Sequence, residues 1–190
     1  MSQNNGSCCA GPGYASPQDA IKAPREKVVY TICIYTGTGI EKPDYLATID
    51  VDPKSADYGK VISRLEMPNV GDELHHFGWN ACSSCHGKEG AGRRFIVLPG
   101  IASGRIHIVD TKDPRQPKLH KVIEPEVVKA KTGLSAPHTV HCLADGTVLI
   151  SMLGDSNGDF FRLPEVDNVK DHMRTRHSPA FFILETCRRY

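Results

Sequence analysis

A chain of 190 residues with 39% hydrophobic and 24% charged positions has the composition of an ordinary globular protein, which sets low-complexity disorder aside and allows one domain-sized core. Its 23 basic and 22 acidic residues nearly cancel to +1 and are spread along the chain, so no footprint for nucleic acid or anionic lipid is visible, and a small neutral substrate or a protein partner is expected. The start, Met1 to Gly6, carries no basic or apolar stretch and no later window approaches a membrane span, so the seven cysteines, an odd number, are expected as reduced thiols in the cytosol.

Residues 1–25 hold Gly6, Gly11, Pro12, Gly13, Pro17 and Pro24 among few apolar positions. They predict an extended arm with a short helical turn over Ser16 to Lys22, an arm that must lie on something to be ordered. From Lys27 the run V-V-Y-T-I-C-I-Y is β-branched and aromatic, and the turn chemistry of Thr36-Gly37-Thr38-Gly39 closes it, which predicts a buried strand. Tyr45 to Asp52 predicts a second strand, and Gly59 to Leu65 a third with the alternation of a half-exposed face.

After Pro68 comes the run D72-E-L-H-H-F-G-W-N-A-C-S-S-C-H86. Two short strands follow, Arg94 to Pro99 and Gly104 to Asp110, and Asp113-Pro114 ends that hairpin. Leu119 to Glu124 predicts another strand. Pro125-E-V-V-K-A-K-T-G133 has Pro and Glu at its start and Gly after its end, the asymmetry of a short helix. His138 to Cys142 precedes an Asp145-Gly146 turn and a strand over Thr147 to Met152. The many short strands joined by Gly, Pro and Asp turns point to an all-β sandwich, barrel or propeller, and no strict repeat separates these.

Several segments now carry a resemblance. Cys9-A-G-P-G-Y-A-S-P17, Tyr45-LATIDVDPKS55, Asp72-ELHHFGWNACSSCHG87, Pro117-KLHKVIEP125 and His138-TVHCLADG146 resemble, in order and with similar spacing, successive segments of the selenium-binding proteins, the family of methanethiol oxidases. The resemblance implies the N-terminal blades of a seven-bladed β-propeller, incomplete in this chain: an arm over 1–25, a partial propeller over 26–155, and a divergent tail over 156–190. A splice variant, a truncated gene model or a frameshift would each give such a tail. It implies a cytoplasmic protein, with a nuclear pool as an alternative, no membrane span, and peripheral membrane association left open. The implied reaction oxidises methanethiol, a small thiol, with O2 and water to formaldehyde, hydrogen sulfide and hydrogen peroxide, in a copper-dependent manner. The whole protein is implied to be an enzyme, and this shorter chain is expected to be inactive alone.

His75-His76 and His138-x-x-His141 supply four imidazoles, ligands suited to copper, zinc or iron; surface or satisfied core histidines are the alternative. Adjacent His75 and His76 cannot share a metal from a regular strand but can from an irregular loop, and His138 and His141 converge from a helical turn or a tight loop. The resemblance implies that His75, His76 and His141 hold copper and that His138 completes or orients the shell. Cys82 and Cys85, two residues apart, suit a metal, a reversible disulfide or capture of selenium and sulfur species, against buried structural thiols as the alternative, and are the expected catalytic or redox pair. With His86 the string also matches the attachment signature for c-type haem, which fails for want of an export signal. A cysteine implied to hold selenium in vertebrate members falls at Gly59 here, so selenium would fall to Cys82 or Cys85. Trp79, His107 and His120 are expected to be structural or exposed, and Cys8-Cys9 an exposed pair.

Overall fold

The computed structural model describes residues 12–88, 91–159 and 180–185; Cys8, Cys9 and most of the expected divergent tail lie outside the described residues. Among the described residues there are ten strands and two short helices, an all-β chain as its many short β-branched runs predict. The strands form three open antiparallel sheets. Strands β1 (Val28–Cys33), β2 (Pro43–Asp50) and β3 (Val61–Val70) make the first; β4 (Gly78–Trp79), β5 (Phe95–Pro99), β6 (Ile106–Asp110) and β7 (Lys118–Ile123) make the second. The third, in the order β10-β9-β8, joins β8 (Ser135–Cys142), β9 (Thr147–Gly154) and β10 (Ala180–Glu185).

Period-two alternation stacks these sheets in layers. On β5, Ile96 and Leu98 point into one core with Leu46, Met67 and Leu74, while Val97 points into another with Val148, Ile150 and Met152. The inner strands β5 and β6 of the second sheet are therefore buried on both faces, and they are mostly apolar runs. Helix α2 (Pro125–Thr132) sets Val128 into the second core and ends at a left-handed Gly133, as its flanking Pro and Gly predict.

One strand longer than expected and one not expected share a reason. β3 runs on through Pro68, and β8 includes Pro137 where a helical turn or tight loop around the histidines is expected. Both are edge strands in the sheet orders given above, so a proline without an N–H costs no ladder bond there. The register of β8 against β9 shifts between Pro137 and Val140, which absorbs the irregularity.

Helix α1 (Pro17–Lys22) is capped by Ser16, whose hydroxyl accepts the Asp19 N–H at 3.2 Å. Just before it the arm finds its support. A Cβ on Gly13 would lie 2.6 Å from Ser83 Cα, so the arm rests directly on the turn between Cys82 and Cys85, and only glycine fits at that crossing. Among the described residues no helix is long and apolar enough to cross a membrane.

Candidate functional site

The segment 72–77 is irregular, its one strand-like feature an isolated bridge between Leu74 and Gly100. Freed from strict alternation, both His75 and His76 face His138, with ring centroids 5.8 and 4.2 Å from it. The approach depends on Gly78, at the start of β4. A Cβ there would lie 2.8 Å from Val140 Cγ1 and 3.0 Å from the Val140 carbonyl, so Gly78 of β4 packs directly on Val140 of β8 with no room for a side chain of its own. The glycine of the H-H-x-G-W string is the contact that brings histidines from two distant segments together.

The loop is held from beneath by buried polar groups. Asp44, on β2, accepts the Leu74 N–H at 3.0 Å and the Tyr35 N–H at 2.9 Å. Asp72, fully buried, lies 3.3 Å from His107 Nε2 and receives Arg105 Nη1 at 3.2 Å. Burial alone would raise the Asp72 carboxyl, but His107, Ser103 and Arg105 outweigh it and hold it below the ordinary carboxylate range. His107 is thus structural, as expected, and its Nδ1 contacts the Leu98 carbonyl at 3.3 Å. The backbone carbonyls of Asp72 and Glu73 accept N–H bonds from Ala102 and Ile101.

Between these anchors Glu73 has φ 52°, and Ala136, two residues before His138, has the same φ; they are the two non-glycine residues with positive φ among those described. Strained backbone of this kind collects at functional sites. Both residues also line one cavity of about 750 Å3, within the usual range for small-molecule sites, together with His75, Val128, Lys129 and Leu134.

The four predicted histidines are not all brought together. His138 is half-buried; burial, with His76 and His75 beside it, holds its imidazole below the ordinary histidine range, so it is neutral at pH 7 and has a lone pair to offer. His141 is exposed on β8, opposite Leu149, and takes no part in the ring contacts that join the other three. Among the described residues no set of three or more His, Cys, Asp or Glu groups is arranged to close on a metal. In kind, three neighbouring imidazoles, one of them kept neutral, suit copper or zinc.

Cys82 to Cys85 forms a single 3-10 turn over Ser83–Cys85, with the Cys85 N–H on the Cys82 carbonyl at 2.9 Å. Cys85 is buried and its Sγ donates to the Leu143 carbonyl at 3.4 Å. A third thiol joins them: Cys142, buried at the end of β8, shares one small cluster with Ala81 and Cys85, and Cys82 packs against it. All three are thiols rather than disulfides. Trp79 packs into the first core, against Tyr30 at 6.0 Å between centroids. Exposed His120 stacks on Phe95 at 5.1 Å, and Gly59 sits in a turn at φ 78°, a conformation that a cysteine there would strain.

Three features escape a sequence reading: the Glu73 carboxylate beside His75, the Asp72–His107 pair, and Cys142. Each belongs to a quoted string, D-E-L-H-H or H-T-V-H-C, but its partner is set by the folded backbone.

The family model described as 56kDa selenium binding protein (SBP56) matches residues 8–167. Selenium-binding protein 2 of Arabidopsis thaliana is 53% identical over 186 residues, covering 94% of this chain and 38% of its own length. The protein named Methanethiol oxidase in Xenopus laevis is 59% identical over 155 residues (81% of this chain, 32% of its own), and that of Homo sapiens 57% over 160 residues (84% and 34%). The X-ray structure of a hypothetical selenium-binding protein from Sulfolobus tokodaii matches with a TM-score of 0.73 at 53% identity, over 77% of this chain and 33% of that one. The chain therefore spans about a third of the length of these relatives. By a family match over most of its residues and by identity above half, the chain belongs to the 56kDa selenium binding protein (SBP56) family.

Proposed function

We propose that this chain supplies the histidine-bearing part of a methanethiol oxidase, the name its animal relatives carry, and that the part it supplies holds copper. The overall reaction balances as CH3SH + O2 + H2O giving CH2O + H2S + H2O2. The observation that carries this reading is the meeting of His75, His76 and His138 beside the 750 Å3 cavity, brought about by the glycine contact between β4 and β8.

In this reading His75, His76 and His138 hold the metal, so His138 takes the direct role that the resemblance gives to His141. When bound, copper supplies a soft centre for a thiolate and a one-electron couple toward oxygen. The chain's own residues do the rest: the buried anchors fix the loop, burial keeps His138 unprotonated, and the apolar wall of Val128 and Leu134 favours a small apolar thiol over a charged one. We read the three stacked sheets as successive blades of a β-propeller, the longer relatives carrying the remainder. Because the chain spans about a third of the length of its relatives, whose remainder would supply further ligands, this chain alone is expected to show no oxidase turnover.

Copper(I) titration against a competing chelator tests the assignment. The unsubstituted chain should take up copper, and His76→Ala should weaken the affinity by tenfold or more. No uptake, or unchanged affinity in His76→Ala, overturns it.

A second reading, a selenium- or thiol-binding protein without catalysis, is favoured by the clustering of Cys82, Cys85 and Cys142 from two segments. Selenium retained after incubation with selenite and a thiol, then lost on alkylation of these cysteines, would support it; equal retention after alkylation would exclude it.

A further inference from the structure

We infer that Glu73 is a positioning residue that fixes the orientation and proton placement of His75, leaving Nδ1 of that ring as its donor atom. The inference rests on the metal-binding reading of the histidine cluster and deepens it. The Glu73 Oε1 to His75 Nε2 distance is 2.8 Å, a close contact between a carboxylate oxygen and a ring nitrogen. A carboxylate only accepts, so the neutral ring that makes this contact carries its proton on Nε2 and presents a bare lone pair at Nδ1. A ring whose far nitrogen is tied to a carboxylate is the usual way a metal-binding histidine is oriented and its basicity raised.

The two side chains meet in an irregular loop, where Glu73 stands at φ 52°. The conformation is imposed by its neighbours. Asp72 is pinned by His107, Arg105 and the Ala102 N–H; the Glu73 carbonyl takes the Ile101 N–H; and the Leu74 N–H is held by Asp44. This clamp holds a glutamate where glycine would sit without strain, so the side chain must itself be of use. The Glu73 carboxylate and the His75 ring both line the cavity, which places the oriented ring at the wall of the space where a substrate would enter.

The competing explanation is that residue 73 matters only through its backbone. Two substitutions separate the cases. Glu73→Gly keeps the left-handed backbone, indeed relieves it, and removes the carboxylate. Glu73→Gln keeps the strained backbone and an oxygen able to accept from Nε2–H.

Nitrogen-15 NMR of the metal-free 190-residue chain should show the His75 proton on Nε2, retarded in exchange with water, in the unsubstituted and Glu73→Gln proteins. That retardation should disappear in Glu73→Gly. Copper(I) affinity should fall by about 10- to 100-fold in Glu73→Gly while Glu73→Gln stays close to the unsubstituted chain. A His75 proton found on Nδ1, or Glu73→Gly binding copper as well as the unsubstituted chain, overturns the inference. If the unsubstituted chain takes up no copper, the metal reading fails separately, and the NMR arm alone decides the placement of the proton.

Discussion

His76 and His138 stand 4.2 Å apart, ring centroid to ring centroid, and their meeting is set two residues beyond His76, where Gly78 lies against Val140. Adding side-chain atoms at position 78 must push β4 away from β8. Gly78→Val is expected to destabilise the chain by about 1–3 kcal/mol, the range for overpacking a filled contact. Since Val140 Cγ1 is the first atom met, Val140→Ala in the same molecule should recover part of the loss. Urea unfolding of the two single variants and the double variant would show this non-additivity; strictly additive losses would mean that the two residues do not press on each other.

Ala136 shares its φ of 52° with Glu73 but carries no functional group, so it isolates the backbone contribution. Ala136→Val, β-branched and held in the left-handed region, should cost about 2 kcal/mol or more. Ala136→Gly exchanges relief of strain against a lost buried methyl and a more flexible unfolded chain, and should lie within about 1 kcal/mol of the parent. Thermal melts of both variants check the pair, and a harmless Ala136→Val would contradict the strained assignment.

Asp72 should govern the acid side of the stability curve. Its folded carboxyl is held below the ordinary carboxylate range, so it contributes stability that is present above the unfolded value near pH 4 and is lost as pH falls through the lower folded value. Asp72→Asn should flatten the acid limb of stability against pH. Asp72→Ala, which leaves His107 and Arg105 buried or half-buried without their carboxylate, should cost about 3–5 kcal/mol near neutral pH.

Tyr30 should act on the alkaline side. Burial, and the negative charge of Asp113, push its hydroxyl up to about 12 from 10, and the same hydroxyl donates to the Pro114 carbonyl at 2.7 Å. Because the folded value is the higher one, its contribution is whole below pH 10 and is lost as pH rises through about 12. Ultraviolet difference titration should show tyrosine ionising late, the Tyr45 hydroxyl being raised as well by its hydrogen bond with Cys33. In Tyr30→Phe the late step should shrink by one phenol; an undiminished step assigns it to other tyrosines.

The sheets were largely legible because local chemistry and the folded result agree. The apolar runs at Val28 and Phe95 become strands, and Pro125 and Gly133 bracket a helix, since these signals act over a few residues. β8 was misread because the spacing of three between His138 and His141 suits a helical turn or tight loop, whereas the edge position that tolerates Pro137 in a strand is a property of the whole sheet. That His75 and His76 needed an irregular loop to work together was legible from alternation alone, but the choice of His138 over His141 was not. It follows from where β8 is met by β4, a pairing between distant segments. Glu73 was hidden for a different reason: it stands at a φ that the residue type argues against, in a loop whose course sets its contact with His75.

Gly13 resting on Ser83 joins the first described residues to the twin-cysteine turn without any strand pairing between them. The arm can therefore lift while all three sheets stay intact, a local opening of low free energy rather than global unfolding. Hydrogen exchange at the Ser83 amide, beside the Gly13 contact, then times the departure of the arm. A bulky residue at position 13 would leave the melting temperature nearly unchanged while speeding that exchange, so cover over the twin-cysteine turn and mechanical strength of the sheets are separately adjustable in this chain.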